Sequence, residues 1–142
     1  MSNVHFQGSI WYNLDIALRN SDNIYKEELD ALGLAIIEWY LLQILYEQDG
    51  QMASSLAKAV GRPATSFTPI LDKLANKDLI ERRPHPVDRR GVLIYLTPKG
   101  RNLRQPVQAS LERIEAKVCK KLSLKDFDGY QHIITELQTM TA

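Results

Sequence analysis

The sequence IERRPHPVDRRGVLIYLTPKG occupies residues 80–100 and has the composition of a β-hairpin with a basic tip. Residues 92–96 are β-branched, aliphatic or aromatic, as is typical of a strand, and Leu79 and Ile80 begin the partner strand. The connection holds two prolines, Gly91 and four arginines: Arg82, Arg83, Arg89 and Arg90. Arginines on a short, stiffened loop are suited to contact phosphate groups or a narrow groove.

Two short helices are predicted immediately before this hairpin. Residues 51–60 place apolar side chains at helical spacing, and a Gly-Arg-Pro turn follows at residues 61–63. The next helix is expected to begin near Thr65 or Ser66, either of which can act as its N-cap. Pro69 then falls near the end of the first turn, where a proline removes little hydrogen bonding. A helix, a three-residue turn and a second helix, followed by a basic hairpin, predict a winged helix-turn-helix.

This motif predicts a DNA contact surface. The N-terminal residues of its second helix meet base edges in the major groove. The predicted contacts from that helix and the turn before it are Arg62, Thr65, Ser66, Thr68 and Lys73. Because hydroxyl groups can pair with several bases, these residues do not define a target sequence.

The charges of the chain are segregated, although its formal net charge is only +1. Residues 58–104 contain eleven Lys or Arg and four Asp or Glu, which gives a net charge of +7. Residues 1–57 have a net charge of −6, and the charges of residues 105–142 cancel. A basic block that coincides with the predicted motif favours a polyanion-binding face over an ordinary solvated surface.

Amphipathic helices are predicted on both sides of this module. Residues 9–30 form the first, with an interruption at residues 20–23 and a break at Gly33, and residues 34–48 form the second. After the hairpin, Thr97 is expected to cap a long helix that has a heptad-like apolar seam.

Near its C-terminus the chain is expected to bend or break at Pro106 and to form one more helix, capped by Ser123. The residues of this last helix that are expected to face inward are Phe127, Tyr130, Ile133, Ile134, Leu137 and Met140. The terminal helices exceed what the core of a winged module needs, so they form either a dimer interface or an intramolecular bundle. We favour the dimer, because paired recognition helices must be held about one DNA turn (~34 Å) apart.

With these elements in view, the sequence resembles the MarR family of bacterial transcriptional regulators. The similarity is strongest in LANKDLIER from Leu74, DRRGV from Asp88 and LTPKG from Leu96. The resemblance implies a mainly α fold with a small β-hairpin wing, in a single domain over residues 1–142. Residues 34–100 would be the winged helix-turn-helix, and residues 1–33 and 101–142 would be dimerisation helices. It also implies a homodimer that binds a palindromic operator in double-stranded DNA, usually as a repressor.

The resemblance further implies roles for single residues. Arg90 would enter the minor groove, Asp88 would orient it through a bidentate ion pair, and Arg89 would reach phosphate or the groove. Many members are released from DNA by small aromatic ligands, and such a site here would be lined by Trp11, Tyr12, Trp39 and Tyr40. Core packing is the alternative for Trp39 and Tyr40.

Other chemistry is not supported by the sequence. His5, His85 and His132 are scattered, so neither a metal site nor a cofactor is expected, and no grouping indicates an enzyme. Cys119 is the single cysteine and is expected to be a packing or surface thiol, although nearby lysines leave redox sensing open. No apolar run or signal peptide indicates a membrane, so a cytoplasmic protein is expected. The alternative function is a winged-helix module that binds an acidic protein.

Overall fold

The computed structural model describes residues 9–140, so residues 1–8 of the expected N-terminal dimerisation segment and residues 141–142 lie outside it. The described chain forms two compact units, which are divided between Ser110 and Leu111. In chain order its elements are α1 (Ile10–Leu32), α2 (Ile36–Glu47), β1 (Gln51–Met52), α3 (Ala53–Ala59), α4 (Ala64–Asn76), β2 (Ile80–Pro84), β3 (Val92–Leu96), α5 (Pro98–Asn102), α6 (Arg104–Cys119) and α7 (Leu124–Thr139). The prediction of a mainly α fold with a small β wing is confirmed.

The core of the first unit is built around α2, whose apolar residues surround most of its circumference. Leu41, Leu42 and Leu45 are fully buried, and the indole Nε1 of Trp39 donates a hydrogen bond of 3.1 Å to Ser110 Oγ. No single helix within residues 9–140 is long and apolar enough to cross a membrane; α1 and α2 meet that test only as a pair, and the pair is bent by 71°.

The sheet is antiparallel and has the strand order β1-β3-β2. The sequence predicted β2 and β3 but missed β1, because two residues with mixed polarity carry no periodic signal. Gln51 and Met52 of β1 pair with Ile94 and Leu93 of β3. The central position of β3 explains why its sequence is apolar along most of its length.

Helix α1 differs from its prediction in one respect. The break at Gly33 is confirmed, but the interruption expected at residues 20–23 is absent, because α1 runs continuously through them. Ser21 fits inside the helix since its hydroxyl donates a hydrogen bond of 2.8 Å to the carbonyl oxygen of Ala17.

The break after the wing lies three residues earlier than Pro106. Thr97 caps α5 as predicted, its Oγ1 accepting the N–H of Gly100 at 3.0 Å, but α5 ends at Asn102 and α6 begins at Arg104. A proline cannot bond to the carbonyl four residues before it and its ring crowds that carbonyl, which for Pro106 belongs to Asn102. One helix therefore ends before Leu103 and the next begins after it, which places Pro106 in the first turn of α6.

Helix α7 belongs to the second unit and has the predicted cap. Ser123 Oγ accepts the N–H of Asp126 at 3.2 Å, and the Asp126 carboxylate accepts the N–H of Ser123 at 2.7 Å. The carboxylate of Asp126 accepts hydrogen bonds from the backbone N–H and from the hydroxyl of Ser123, and these two bonds lower the pKa of Asp126. Of the six apolar residues predicted to face inward, Phe127, Ile134 and Leu137 are half-buried. The prediction is wrong in the single chain for Tyr130, Ile133 and Met140, which are 61%, 53% and 67% exposed.

Candidate nucleic-acid interface

The turn between α3 and α4 is a tight backbone reversal. Gly61 has a left-handed backbone (φ 65°), which glycine adopts without steric cost, and its N–H donates to the carbonyl of Lys58 at 3.1 Å. The N–H of Arg62 donates to the carbonyl of Ala57 at 2.9 Å, which completes a Schellman-type helix end. Arg62 is therefore placed at the surface of the turn, exposed and next to the start of α4.

Helix α4 begins earlier than its sequence predicted. Thr65 and Ser66 are not its N-cap, because Pro63 is, without any side-chain cap bond. Pro63 has φ −62° and directs the chain into the helix, while its carbonyl accepts both the N–H and the hydroxyl of Ser66 at 3.1 Å. Pro69 consequently lies in the second turn, where it leaves the carbonyl of Thr65 without its helical donor.

The two faces of α4 have opposite character. Phe67, Leu71 and Leu74 are buried, which holds the helix in place despite Pro69. The four α4 residues that the sequence predicted as DNA contacts all lie on the exposed face: Thr65, Ser66, Thr68 and Lys73. The exposed polar face can therefore enter a DNA groove while the opposite apolar face stays packed in the core.

Arg82 and Arg83 lie within β2 and not at the tip of the hairpin, which corrects their predicted place. They pair with Ile94 and Leu93 of β3. Arg82 forms an ion pair of 2.5 Å with Asp72 of α4, and Arg83 pairs with Glu81. The guanidinium of Arg83 also lies 4.1 Å from the centre of the Tyr95 ring. Both arginines therefore already have intramolecular partners.

The tip of the wing is a β-turn from Asp88 to Gly91. The N–H of Gly91 donates to the carbonyl of Asp88 at 3.0 Å, so Arg89 and Arg90 occupy the two central positions. Aspartate at the first position and glycine at the fourth are typical of such a turn. In the described part of the chain, the side chains of Arg89 and Arg90 have neither an ion pair nor a hydrogen bond, and both are exposed.

The contact between Asp88 and Arg90 differs from the expected bidentate ion pair. Asp88 Oδ1 accepts the backbone N–H of Arg90 at 2.9 Å, and no ion pair joins the two side chains among residues 9–140. A short acceptor that bonds two residues onward is the usual behaviour of aspartate in a turn. Asp88 therefore orients the backbone of Arg90 and leaves its guanidinium free.

Asp49 stabilises the base of the wing, although no sequence pattern marks it as a residue of the wing. Its Oδ1 accepts the backbone N–H of Leu96 at 2.9 Å, and Arg101 Nη1 lies 3.7 Å from its Oδ2. Arg101 also donates to the carbonyl of Leu96 at 3.1 Å. No local pattern could predict this contact, because it joins residues that are far apart in sequence.

Tyr46 holds the other side of the wing base. Its hydroxyl donates a hydrogen bond of 2.7 Å to the carbonyl of Gly100, and the guanidinium of Arg104 lies 5.8 Å from its ring centre. Burial raises the pKa of Tyr46 from 10.0 to about 12, and the charge of Arg104 opposes part of that rise.

Tyr46→Phe is expected to destabilise the protein by about 1 kcal/mol below pH 10, because it removes one hydrogen bond. That deficit should shrink between pH 10 and pH 12, since in this window the tyrosine of the unfolded wild type ionises before that of the folded wild type. Urea unfolding of both proteins across this range measures the difference. A constant deficit would show that Tyr46 ionises equally in both states.

The structure does not bring the four predicted ligand-contacting aromatic residues together. Trp39 is 2% exposed and belongs to the core, with its ring 5.6 Å from that of Tyr40 and 5.7 Å from that of Tyr25. Trp11 and Tyr12 are exposed in the first turn of α1, about 20 Å along the helix from Tyr25. The packing alternative therefore describes Trp39.

Two surface cavities of the first unit lie near the junction of α1 and α2. One, of about 260 Å³, is bordered by the end of α1 and the start of α2, including Tyr25, Leu29 and Ile36. The other, of about 270 Å³, includes Leu34, Lys77 and Lys99. Neither is lined by the predicted aromatic residues, and within residues 9–140 no group of acidic, His or Cys side chains can hold a metal.

The match to a known family falls on the helix-turn-helix and wing described above. Residues 35–92 match the model of the MarR family. This segment of the chain is similar to the MarR family. The expected resemblance is thereby confirmed, and the matched range runs from the start of α2 to the first residue of β3.

Solved structures resemble most of the chain, including segments outside the range matched by the family model. One of them is a transcriptional repressor, CouR, bound to a 23-mer DNA duplex. Its sequence is 20% identical and its TM-score is 0.86, and the match covers 97% of this chain and 98% of the CouR chain. BpsR of Bordetella bronchiseptica, whose DNA binding is regulated by 6-hydroxynicotinic acid, gives the same identity and TM-score with 99% and 100% covered. A mutant MarR from E. coli complexed with operator DNA is 22% identical, with a TM-score of 0.79 and 87% and 89% covered. These structures share the fold of this chain.

Proposed function

We propose that the protein is a transcriptional regulator that binds a palindromic operator in double-stranded DNA as a homodimer and acts as a repressor. In this proposal α4 is the recognition helix and inserts into the major groove, with Thr65, Ser66 and Thr68 at the bases. The wing contacts the neighbouring minor groove or phosphates through Arg89 and Arg90.

The observation that supports this proposal most strongly is the pair of exposed arginines at the wing tip. Arg89 and Arg90 are adjacent and exposed, and their side chains have no ion pair or hydrogen bond within residues 9–140, whereas Arg82 and Arg83 in the same hairpin are paired. A protein gains nothing in stability from two neighbouring unpaired cations, because they repel each other. A polyanion such as DNA supplies the missing negative charge and releases counterions on binding.

Homodimerisation is supported by apolar side chains that the single chain leaves uncovered. In the first unit these lie in the N-terminal half of α1, including Ile10, Trp11 and Leu18. In the second unit they include Tyr130 and Ile133 of α7 and Met140, which follows the end of that helix. Exposed apolar patches of this kind mark interaction surfaces. We assign the dimer interface to both segments, and sedimentation equilibrium tests the oligomeric state.

Release by a small aromatic ligand completes the proposal. The supporting feature is the cavity beside Tyr25 at the junction of α1 and α2, which is large enough for one aromatic ring with polar substituents. Trp11, Tyr12 and Tyr40 remain candidate ligand contacts that the dimer would have to complete. A panel of aromatic carboxylic acids, titrated into the complex with DNA, measures release directly.

Selection of the purified full-length protein against random-sequence duplexes tests the function. We expect an enriched palindrome with half-sites about 10 bp apart, because a two-fold dimer presents its recognition helices one DNA turn apart. The absence of any enriched sequence would contradict the proposal. It would favour the alternative, a module that uses its basic face to bind an acidic protein without sequence preference for DNA.

A further inference from the structure

His85 accepts two backbone hydrogen bonds at the base of the wing tip. Its Nδ1 receives the N–H of Val87 at 3.1 Å and the N–H of Asp88 at 3.0 Å. Two donors at Nδ1 require a lone pair there, so the ring proton of the neutral imidazole lies on Nε2. The imidazole thus acts on the following residues as a cap side chain acts on the first turn of a helix.

The backbone around His85 leaves little freedom for a different arrangement. Its N–H donates to the carbonyl of Gly91 at 3.0 Å, which closes the loop from one strand to the other. A Cβ atom placed on Gly91 would lie 2.9 Å from His85 Cβ and 3.2 Å from the terminal methyl group of Met52. Glycine at this position therefore permits the close approach of the chain at Gly91 to His85 and Met52.

The contacts of the tip form a series from His85 to Arg90. His85 holds the backbone N–H of Asp88, and the carboxylate of Asp88 holds the backbone N–H of Arg90. The turn from Asp88 to Gly91 then fixes the direction in which Arg89 and Arg90 leave the chain. Each step uses a backbone donor, so the series orders the main chain and leaves both guanidinium groups free.

We infer that His85 is the positioning residue of the wing: its Nδ1 orders Val87 and Asp88, and through Asp88 it sets the placement of Arg90 on DNA. This inference rests on the proposed function, because it assigns His85 a role in the DNA contact. The role depends on an acceptor atom at the position of Nδ1 and not on the aromatic ring or its charge. That requirement separates it from a general packing role and from a direct contact with phosphate.

Three substitutions of His85 test the requirement in the full-length protein. His85→Asn keeps an acceptor, because Oδ1 of asparagine is attached to Cγ as Nδ1 is in histidine. His85→Gln places its acceptor one bond further out, and His85→Leu has none. Amide exchange of Val87 and Asp88, followed by NMR in the absence of DNA, should accelerate in the Leu and Gln variants and remain close to wild type in the Asn variant. Equal amide exchange rates in all variants would show that His85 does not order Val87 and Asp88.

Binding to the duplex enriched from random DNA tests the functional step. We expect His85→Leu to weaken binding by about tenfold at fixed salt and His85→Asn to stay within about twofold of wild type. The double variant with Arg90→Ala should lose less affinity than the sum of the two single losses, because His85 acts in part through Arg90. An additive loss in the double variant, or unchanged affinity of His85→Leu, would overturn the inference.

The same experiment separates this inference from the function on which it rests. Suppose that the wild type enriches a duplex and that Arg90→Ala weakens its binding but His85→Leu does not. This result would support the proposed regulator function and contradict the positioning role of His85. If no duplex is enriched, the proposed function falls, and the amide exchange data still decide whether His85 orders the tip. The melting temperature of each variant identifies any loss that comes from unfolding.

Discussion

Arg90→Ala is expected to weaken binding to the selected operator by about ten- to hundredfold, because one well-placed arginine contact in a DNA groove is worth about 1–3 kcal/mol. Its side chain has no partner in the part of the chain that the structure describes, so its removal there leaves no buried group unsatisfied and no charge unpaired. Fluorescence anisotropy at several salt concentrations measures the effect. The salt slope should fall by about one if Arg90 also neutralises a phosphate.

Arg19→Ala provides the matched control for this measurement. Arg19 is an exposed arginine of α1 whose only ion pair in the described chain is with Asp15, at 2.8 Å, and it lies outside the basic block. Its removal changes the net charge by the same amount as Arg90→Ala. Because Arg19 lies in the half of α1 that we assign to the dimer interface, sedimentation equilibrium checks that this variant still dimerises. If both variants lose the same small affinity, the wing has no specific role and the effect is that of net charge alone.

Lys77→Met is expected to lower the free energy of unfolding by about 2–3 kcal/mol, because it removes the one cation among residues 9–140 that pairs with the buried carboxylate of Glu38. Glu38 is 2% exposed, and Lys77 Nζ lies 2.7 Å from its Oε1. The same ammonium group donates to the carbonyl of Gly33 at 2.8 Å. Glu38 Oε2 has no hydrogen bond among the described residues, so the loss of Lys77 cannot be offset locally. We place the effect below that of a fully buried pair because Lys77 is 40% exposed.

Lys73→Met is the control for helix and charge effects. Lys73 lies one turn earlier on α4, is exposed and has no ion pair in the described chain, so its replacement should change stability by less than about 0.5 kcal/mol. Adding Glu38→Gln to Lys77→Met should recover part of the loss, because the buried group is then neutral. Urea unfolding at one fixed protein concentration compares the variants. Equal midpoints for Lys73→Met and Lys77→Met would refute the proposed importance of the pair.

The sequence predicted the elements well where periodicity or a cap defined them. Residues 92–96 were predicted as a strand with the bounds that β3 has, and the caps at Thr97 and Ser123 are confirmed, because each depends only on neighbouring residues. The predicted start of α4 was wrong, because local caps were not what determined it. Two hydroxyl residues offered local caps, whereas Pro63 and the burial of Phe67 decided the position.

The location of the candidate site could be predicted from its basic composition, but the arrangement of its side chains could not. The basic segment and its arginines could be located from the sequence, but the split between paired Arg82 and Arg83 and unpaired Arg89 and Arg90 depends on Asp72 and on strand register. Similarly, the role of His85 follows from the path of the backbone at the tip and not from any local pattern. Interactions between residues distant in sequence require the tertiary structure.

The position of Arg82 and Arg83 within β2 has a consequence for solubility. In this three-stranded sheet β2 is an edge strand, and an open edge can pair with a strand of another molecule and start aggregation. Three charged residues and Pro84 occupy β2, while the opposite edge, β1, is only two residues long. Charge, proline and shortness are the features that prevent such pairing. The sheet can therefore expose its hairpin to solvent without recruiting further strands.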